Sequence, residues 1–168
     1  MTGITLSLTH DELLSESAFL RMEAATTDMT DLMNGLGQAL VRSSKDRMRM
    51  TNVSPDGTPW VPSKRATHVG GKTLHDSGRL LRSLTFEETS DSVEYGSNVV
   101  YSAIHQLGQA VGASGIWEGI GKNGKKRTLS IPFGDIPARP YLGVSSEDRE
   151  VISELTESYF DGVIGGEF

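Results

Sequence analysis

"RLLRSLTFEETSDSVEYGS", residues 79 to 97, is the stretch on which the fold class turns. Its halves, "RLLRSLTFEET" and "SVEYGS", are β-compatible and joined only by the polar pair Ser90 and Asp91. That joint is too short for the crossover a parallel pair requires, so the two halves read as an antiparallel pair. Helical patterns flank it. Upstream, "TDMTDLMNGLGQALVRSSKDRMRM" (27–50) sets Met29, Leu32, Met33, Leu36 and Leu40 at helical spacing, with Thr27 or Asp28 as N-cap and Arg47 and Arg49 near the negative end of the dipole. Gly35 and Gly37 each cost a helix up to about 1 kcal/mol relative to alanine, so close packing on a neighbour compensates or the helix bends there. Downstream, "NVVYSAIHQLG" (98–108) reads as a short helix with Asn98 as cap and Gly108 just past its end. In "SSEDREVISELTESYF" (145–160), Ser145 and Asp148 form a capping-box pattern while Val151, Ile152, Leu155 and Tyr159 share a face. The expected class is α+β: a small, mainly antiparallel sheet packed against a long helix and a C-terminal helix.

The remaining segments complete one domain over 1–168. "GITLSLT" (3–9) alternates like a half-buried strand, and "HDELLSESAFLRMEAATT" (10–27) reads as a helix. Residues 52–77 hold three prolines and three glycines and read as a projecting, extended arm or loop, with Pro55-Asp56-Gly57 as its turn. Residues 115–133 place two β-compatible arms around Asn123-Gly124, a strong hairpin signal. The tail 161–168 is expected to fray.

Composition narrows the function classes. A hydrophobic fraction of 36% with 19 glycines in 168 residues leaves much of the chain to loops or subunit contacts. The absence of cysteine removes disulfides and thiolate chemistry. No apolar run reaches the roughly 20 residues of a membrane span, and the N-terminus lacks a basic start followed by an apolar stretch, so neither a membrane nor the Sec route is expected. Charge is segregated: 1–31 carry one Arg against six acids, 32–144 carry 14 basic against 9 acidic residues, and 145–168 carry one Arg against seven acids. Acidic ends around a basic middle disfavour non-specific duplex binding and allow head-to-tail matching between copies.

Two motifs mimic nucleotide sites. "ATHVGGKT" (66–73) fits a loose phosphate-loop pattern, but two prolines upstream and Gly78 downstream exclude the strand–loop–helix that gives such a loop its use. "GIGKNG" (119–124) spells the dinucleotide fingerprint, yet a strand rather than a helix follows it. His10, His68, His75 and His105 show no metal-ligand spacing, and Ser77, His75 and Asp76 are too close in sequence to line up as a triad. No catalytic, cofactor or metal site is expected.

Four stretches carry a resemblance: "SPDGTPW" (54–60), "LHDSGRLLRSL" (74–84), "VEYGSNVVYSAIHQLG" (93–108) and "IPARPYLGVSSED" (136–148). In this order they resemble the phage virion morphogenesis family, the Mu-like and P2-like tail completion proteins. The resemblance implies a structural, non-enzymatic protein acting at the head-proximal end of the tail, with no cofactor and no small-molecule substrate. The expected partners are other copies of itself, in a ring, and other tail or neck proteins, in the virion and, during assembly, in the host cytoplasm. Its matching positions are Pro55, Asp56, Gly57, Trp60, Gly78, Arg79, Leu80, Tyr101, His105, Gly108, Arg139, Pro140 and Gly143. Trp60 is either an anchor for a neighbouring copy or part of its own core, and Arg139 pairs either with a carboxylate on another surface or within its own subunit. The alternatives are a nucleic-acid- or nucleotide-binding accessory factor using Lys72 or the basic cluster 122–127, and an assembly chaperone absent from the finished particle.

Overall fold

A computed structural model describes residues 10–120 and 122–165. The strand expected at 3–9 and the end of the tail lie outside them. In chain order the elements are α1 (His10–Thr27), α2 (Thr30–Asp46), α3 (Lys64–Val69), α4 (Arg79–Arg82), β1 (Leu84–Glu88), β2 (Val93–Ser97), α5 (Ser102–Leu107), β3 (Ile116–Ile120), β4 (Lys126–Ser130) and α6 (Ser146–Gly165). The class is α+β.

The central helix forms for the reason its spacing implies. Leu32, Leu36 and Leu40 recur one turn apart and are buried with Val41. At its start the Asp28 carboxylate accepts from the Thr30 N–H and hydroxyl at 3.0 and 2.6 Å, which holds its pKa below the ordinary value. At its far end one widened turn, Arg47–Thr51, leads into left-handed Asn52. Gly37 is where β1 lands: a Cβ there would lie 2.2 Å from a Phe86 ring carbon, whereas a Cβ on Gly35 would meet nothing within 4 Å. Close packing, not a bend, accounts for one of the two glycines.

β1 and β2 pair antiparallel as expected, in the register Leu84↔Ser97, Phe86↔Tyr95 and Glu88↔Val93. Residues 79–82 curl into α4 instead of extending the strand, which puts Leu80 and Leu81 into the core. The sheet is divided: β3 and β4 form a second two-stranded ribbon, paired antiparallel from Ile116↔Ser130 to Ile120↔Lys126. The first ribbon packs on α2, and α6 packs on α2 and α1. Tyr159 of α6 ties that layer together by donating to the carbonyls of Ala25 and Asp28, at 3.1 and 3.2 Å, at the end of α1. Within the expected tail, residues 161–165 continue α6.

Residues 52–60 fold back instead of extending as an arm, and 61–77 form a largely exposed loop that carries α3. The Pro-Asp-Gly turn reverses the chain, with Ser54 N–H donating to the Thr58 carbonyl and Thr58 N–H to the Asp56 carboxylate. This returns Trp60 to the core, where it is 6% exposed. Ser63 then caps the short helix α3, and Thr73 is buried beyond it. Trp60, Met48, Leu80, Leu81, Leu84, Val41, Val99 and Tyr141 form one cluster. An indole supplies more apolar area than any other residue near this edge, and that burial outweighs the extension its prolines favour.

Candidate functional site

The segment 136–145, "IPARPYLGVS", is irregular, so its backbone polar groups have no ladder to join. Side chains from four other parts of the chain meet them. From α5, the Gln106 side-chain oxygen accepts from the N–H groups of Tyr141 and Leu142, both at 3.0 Å, while its amide donates to the Leu142 carbonyl at 3.1 Å. The His105 carbonyl takes the Arg139 N–H at 2.8 Å, and Gln109 and Ile136 exchange two backbone bonds of 2.8 Å. From β2, the Tyr95 hydroxyl accepts from Gly143 N–H at 2.7 Å and donates to the Gly143 carbonyl at 3.1 Å. The Trp60 indole N–H reaches the Pro140 carbonyl at 3.0 Å and Ser54 Oγ at 3.1 Å. Arg47 donates to the carbonyls of Tyr141 and Gly143 at 3.2 and 3.1 Å.

Arg47 also closes onto Asp148, a pair whose side chains are 7% and 9% exposed. Asp148 accepts from Ser145 N–H at 2.8 Å and donates its own N–H to Ser145 Oγ at 3.2 Å, the capping box read from the sequence. Burial pushes the Asp148 carboxyl up, but the Ser145 amide, the Ser43 hydroxyl and the Arg47 guanidinium together outweigh it, so the net pKa is lowered. Tyr141, 1% exposed, donates to the Ser102 carbonyl at 3.3 Å. Burial raises its phenol pKa.

Two glycines allow the segment to come this close. A Cβ on Gly108, which has φ of +76°, would stand 2.7 Å from Ala138 N and 2.9 Å from the Ile136 carbonyl. One on Gly143, at φ of +140°, would stand 2.8 Å from a Pro55 ring carbon. Both positions combine a backbone conformation that favours glycine with no room for a side chain.

Most of the sequence-predicted positions meet here. Pro55, Trp60, Tyr101, His105, Gly108, Arg139, Pro140 and Gly143 all belong to the clamp, the set of contacts around 136–145, or to its wall, with Tyr101 and His105 stacked edge to face at 5.7 Å. Arg139 lies within its own subunit: it is 5% exposed and its Nε donates to the Val61 carbonyl at 2.7 Å. Burial lowers its pKa. The His105 pKa is lowered too, by burial first and by the Arg139 charge second. Asp56, Gly57 and Arg79 stay exposed, and Gly78, at φ of +75°, starts α4. Sequence reading missed Gln106, Tyr95, Tyr141 and the inward role of Arg47. Gln106, Tyr95 and Tyr141 stood inside the matching stretches, but nothing in one dimension marks a side chain that binds backbone far away.

The "ATHVGGKT" segment is a helix followed by a loop, the reverse of a phosphate cradle. Lys72 donates to the Arg49 carbonyl at the end of the central helix, and Arg65 holds the loop by donating to the Lys72 and His75 carbonyls at 2.7 and 3.1 Å. Among the described residues no group of three or more His, Asp or Glu is placed to hold a metal ion. No described helix is long and apolar enough to cross a membrane. Most of the side-chain bonds in the clamp end on backbone, which orients the chain.

Comparison with known proteins gives a consistent result. No solved structure matches. "Mu-like prophage FluMu G protein 2" of Haemophilus influenzae is 29% identical over 149 residues, covering 88% of this chain and 90% of that protein. "Tail completion protein S" of Escherichia phage P2 is 30% identical over 124 residues, covering 72% of this chain and 77% of that one. The profile of the phage virion morphogenesis family matches residues 13–161, which include the whole clamp. The chain belongs to the phage virion morphogenesis family.

Proposed function

We propose that this protein, acting as a single domain, is a structural component that completes the phage tail at its head-proximal end and joins tail to head as a homo-oligomer, a ring being the arrangement that fits a tubular tail. Its role in phage tail morphogenesis follows from the family and from the relative named for tail completion. The observation that supports the finer reading is that Trp60 and Arg139 hold the chain's own backbone while Gly108 and Gly143 leave room for it to pass. A fold that commits its distinctive residues to shape presents surfaces to other proteins and performs no chemistry of its own. Asp56, Gly57 and Arg79 are the family-pattern positions that face outward, and they are the proposed contacts to other tail or neck proteins. Assembly takes place in the host cytoplasm and the protein stays in the virion. Electron microscopy of particles from a deletion strain tests this. Full heads beside unattached, wrongly terminated tails are expected, and normal infectious particles would refute it. Mass spectrometry of purified virions detects the protein on this reading, and its absence there would make it an assembly chaperone.

A further inference from the structure

The β3–β4 ribbon carries large apolar side chains exposed on both faces. Ile116 and Ile120 are 68% and 71% exposed on one face and Trp117 is 43% exposed on the other, with Phe133 exposed just beyond β4. A lone two-stranded ribbon is marginal in water, and each strand here leaves an outer edge of unpaired backbone groups. Its tip is positive: Lys122, Lys125, Lys126 and Arg127 are exposed, and among the described residues none of them forms an ion pair.

The opposite character lies on α6. Glu147, Glu150, Glu154, Glu157 and Asp161 are all exposed and recur at alternating spacings of three and four, which puts them on one stripe of the helix. Beside Glu157, a shallow groove of about 560 Å³ is lined by Val144, Ile152 and Thr156 with Arg149 and Ser153. We infer that the β3–β4 ribbon of one copy seats on α6 of a second copy, with Ile116 and Ile120 covering the groove while Lys126 of the same face and Lys122 and Lys125 of the tip meet the acidic stripe. Charge complementarity selects the occupant, since the middle of the chain carries the excess of basic residues and its C-terminal part the excess of acids. The two surfaces differ, so the contact is head to tail, the kind that closes into a ring when the rotation between copies permits. This rests on the oligomeric reading above and supplies its interface.

Reversing charge on one surface at a time tests it. One variant carries K122E, K125E and K126E, and the other carries E150K, E154K and E157K; all six positions are exposed, and circular dichroism melts check folding. In sedimentation velocity the wild type should associate, and more weakly in high salt because the charges are screened. Either variant alone should associate about a hundredfold more weakly, since like charges then face each other. Mixing the two should restore association, because each then meets its complement. Ile120→Asp should weaken association without changing the charge pattern of α6. Association unchanged in both reversal variants, or a wild type that stays monomeric at every concentration, would overturn the contact. A monomeric wild type that binds duplex DNA through 122–127 would assign the basic tip to nucleic acid instead. A variant that stays monomeric yet rescues a deletion strain would sink this interface and leave tail completion standing. Normal particles from the deletion strain alongside association that needs both surfaces would do the reverse.

Discussion

Replacing Arg47 with methionine should destabilise the fold far more than an ordinary helix-end substitution. The guanidinium sits at the junction of α2, the 136–145 segment and α6, where it binds two carbonyls and the Asp148 carboxylate. Methionine fills similar volume, so the loss is mainly electrostatic: a carboxylate with 9% side-chain exposure loses its cation, and the carbonyls of Tyr141 and Gly143 lose a donor. Breaking a buried pair by removing one partner costs about 3–5 kcal/mol. In a domain of this size each kcal/mol lowers Tm by about 2–4 °C, so a fall of roughly 6–20 °C is expected. Urea titrations of the wild type, Arg47→Met, Asp148→Asn and the double variant form a cycle in which the double should lose less than the sum of the singles. The acid limb supplies an independent check. Because the folded pKa of Asp148 is depressed, its stabilisation is fully present above the unfolded carboxylate pKa and is lost as pH falls through the folded one. Arg47→Met should flatten that loss. A cost below about 1 kcal/mol, the range of an exposed pair, with an unchanged acid limb would refute the reasoning.

The glycines on the central helix form a paired test: Gly37→Ala should cost about 1–3 kcal/mol because its methyl group displaces Phe86, while Gly35→Ala should gain up to about 1 kcal/mol, both read by chemical denaturation. Trp60→Phe keeps most of the apolar burial and removes the N–H that serves Ser54 and Pro140, so it should cost about 1–3 kcal/mol. Trp60→Ala should cost about 3–5 kcal/mol by thermal melting. His105, whose folded pKa is depressed below its ordinary 6.5, should make stability fall as pH drops through the unfolded value toward the folded one. His105→Gln should remove that slope, and an NMR titration of the imidazole placing its pKa above 6.5 would contradict the assignment.

Legibility in the sequence followed the range of the interaction. The central helix, the antiparallel pairing of 84–88 with 93–97, the Asn-Gly ribbon and the Ser145–Asp148 cap were all readable, because each depends on partners within a turn or a hairpin of one another. The segment 79–83 was misread as strand because two adjacent leucines between polar residues set no decisive period, and the core contacts of Leu80 and Leu81 settle it as a helical turn.

The family resemblance was also legible, since it depends on the order of short stretches, but what those stretches do was not. Two of them, 54–60 and 93–108, bind the backbone of the last from positions tens of residues away, and no local pattern records which carbonyl a side chain will reach. By itself the sequence determined the local elements, the segregation of charge and the family. Only the tertiary structure decided that Trp60 and Arg139 turn inward, that Lys72 closes a helix end, and that the β3–β4 ribbon is left with its apolar faces uncovered. The physical reason is that hydrogen bonds and burial at long sequence separation are chosen by which surfaces remain once the helices have packed.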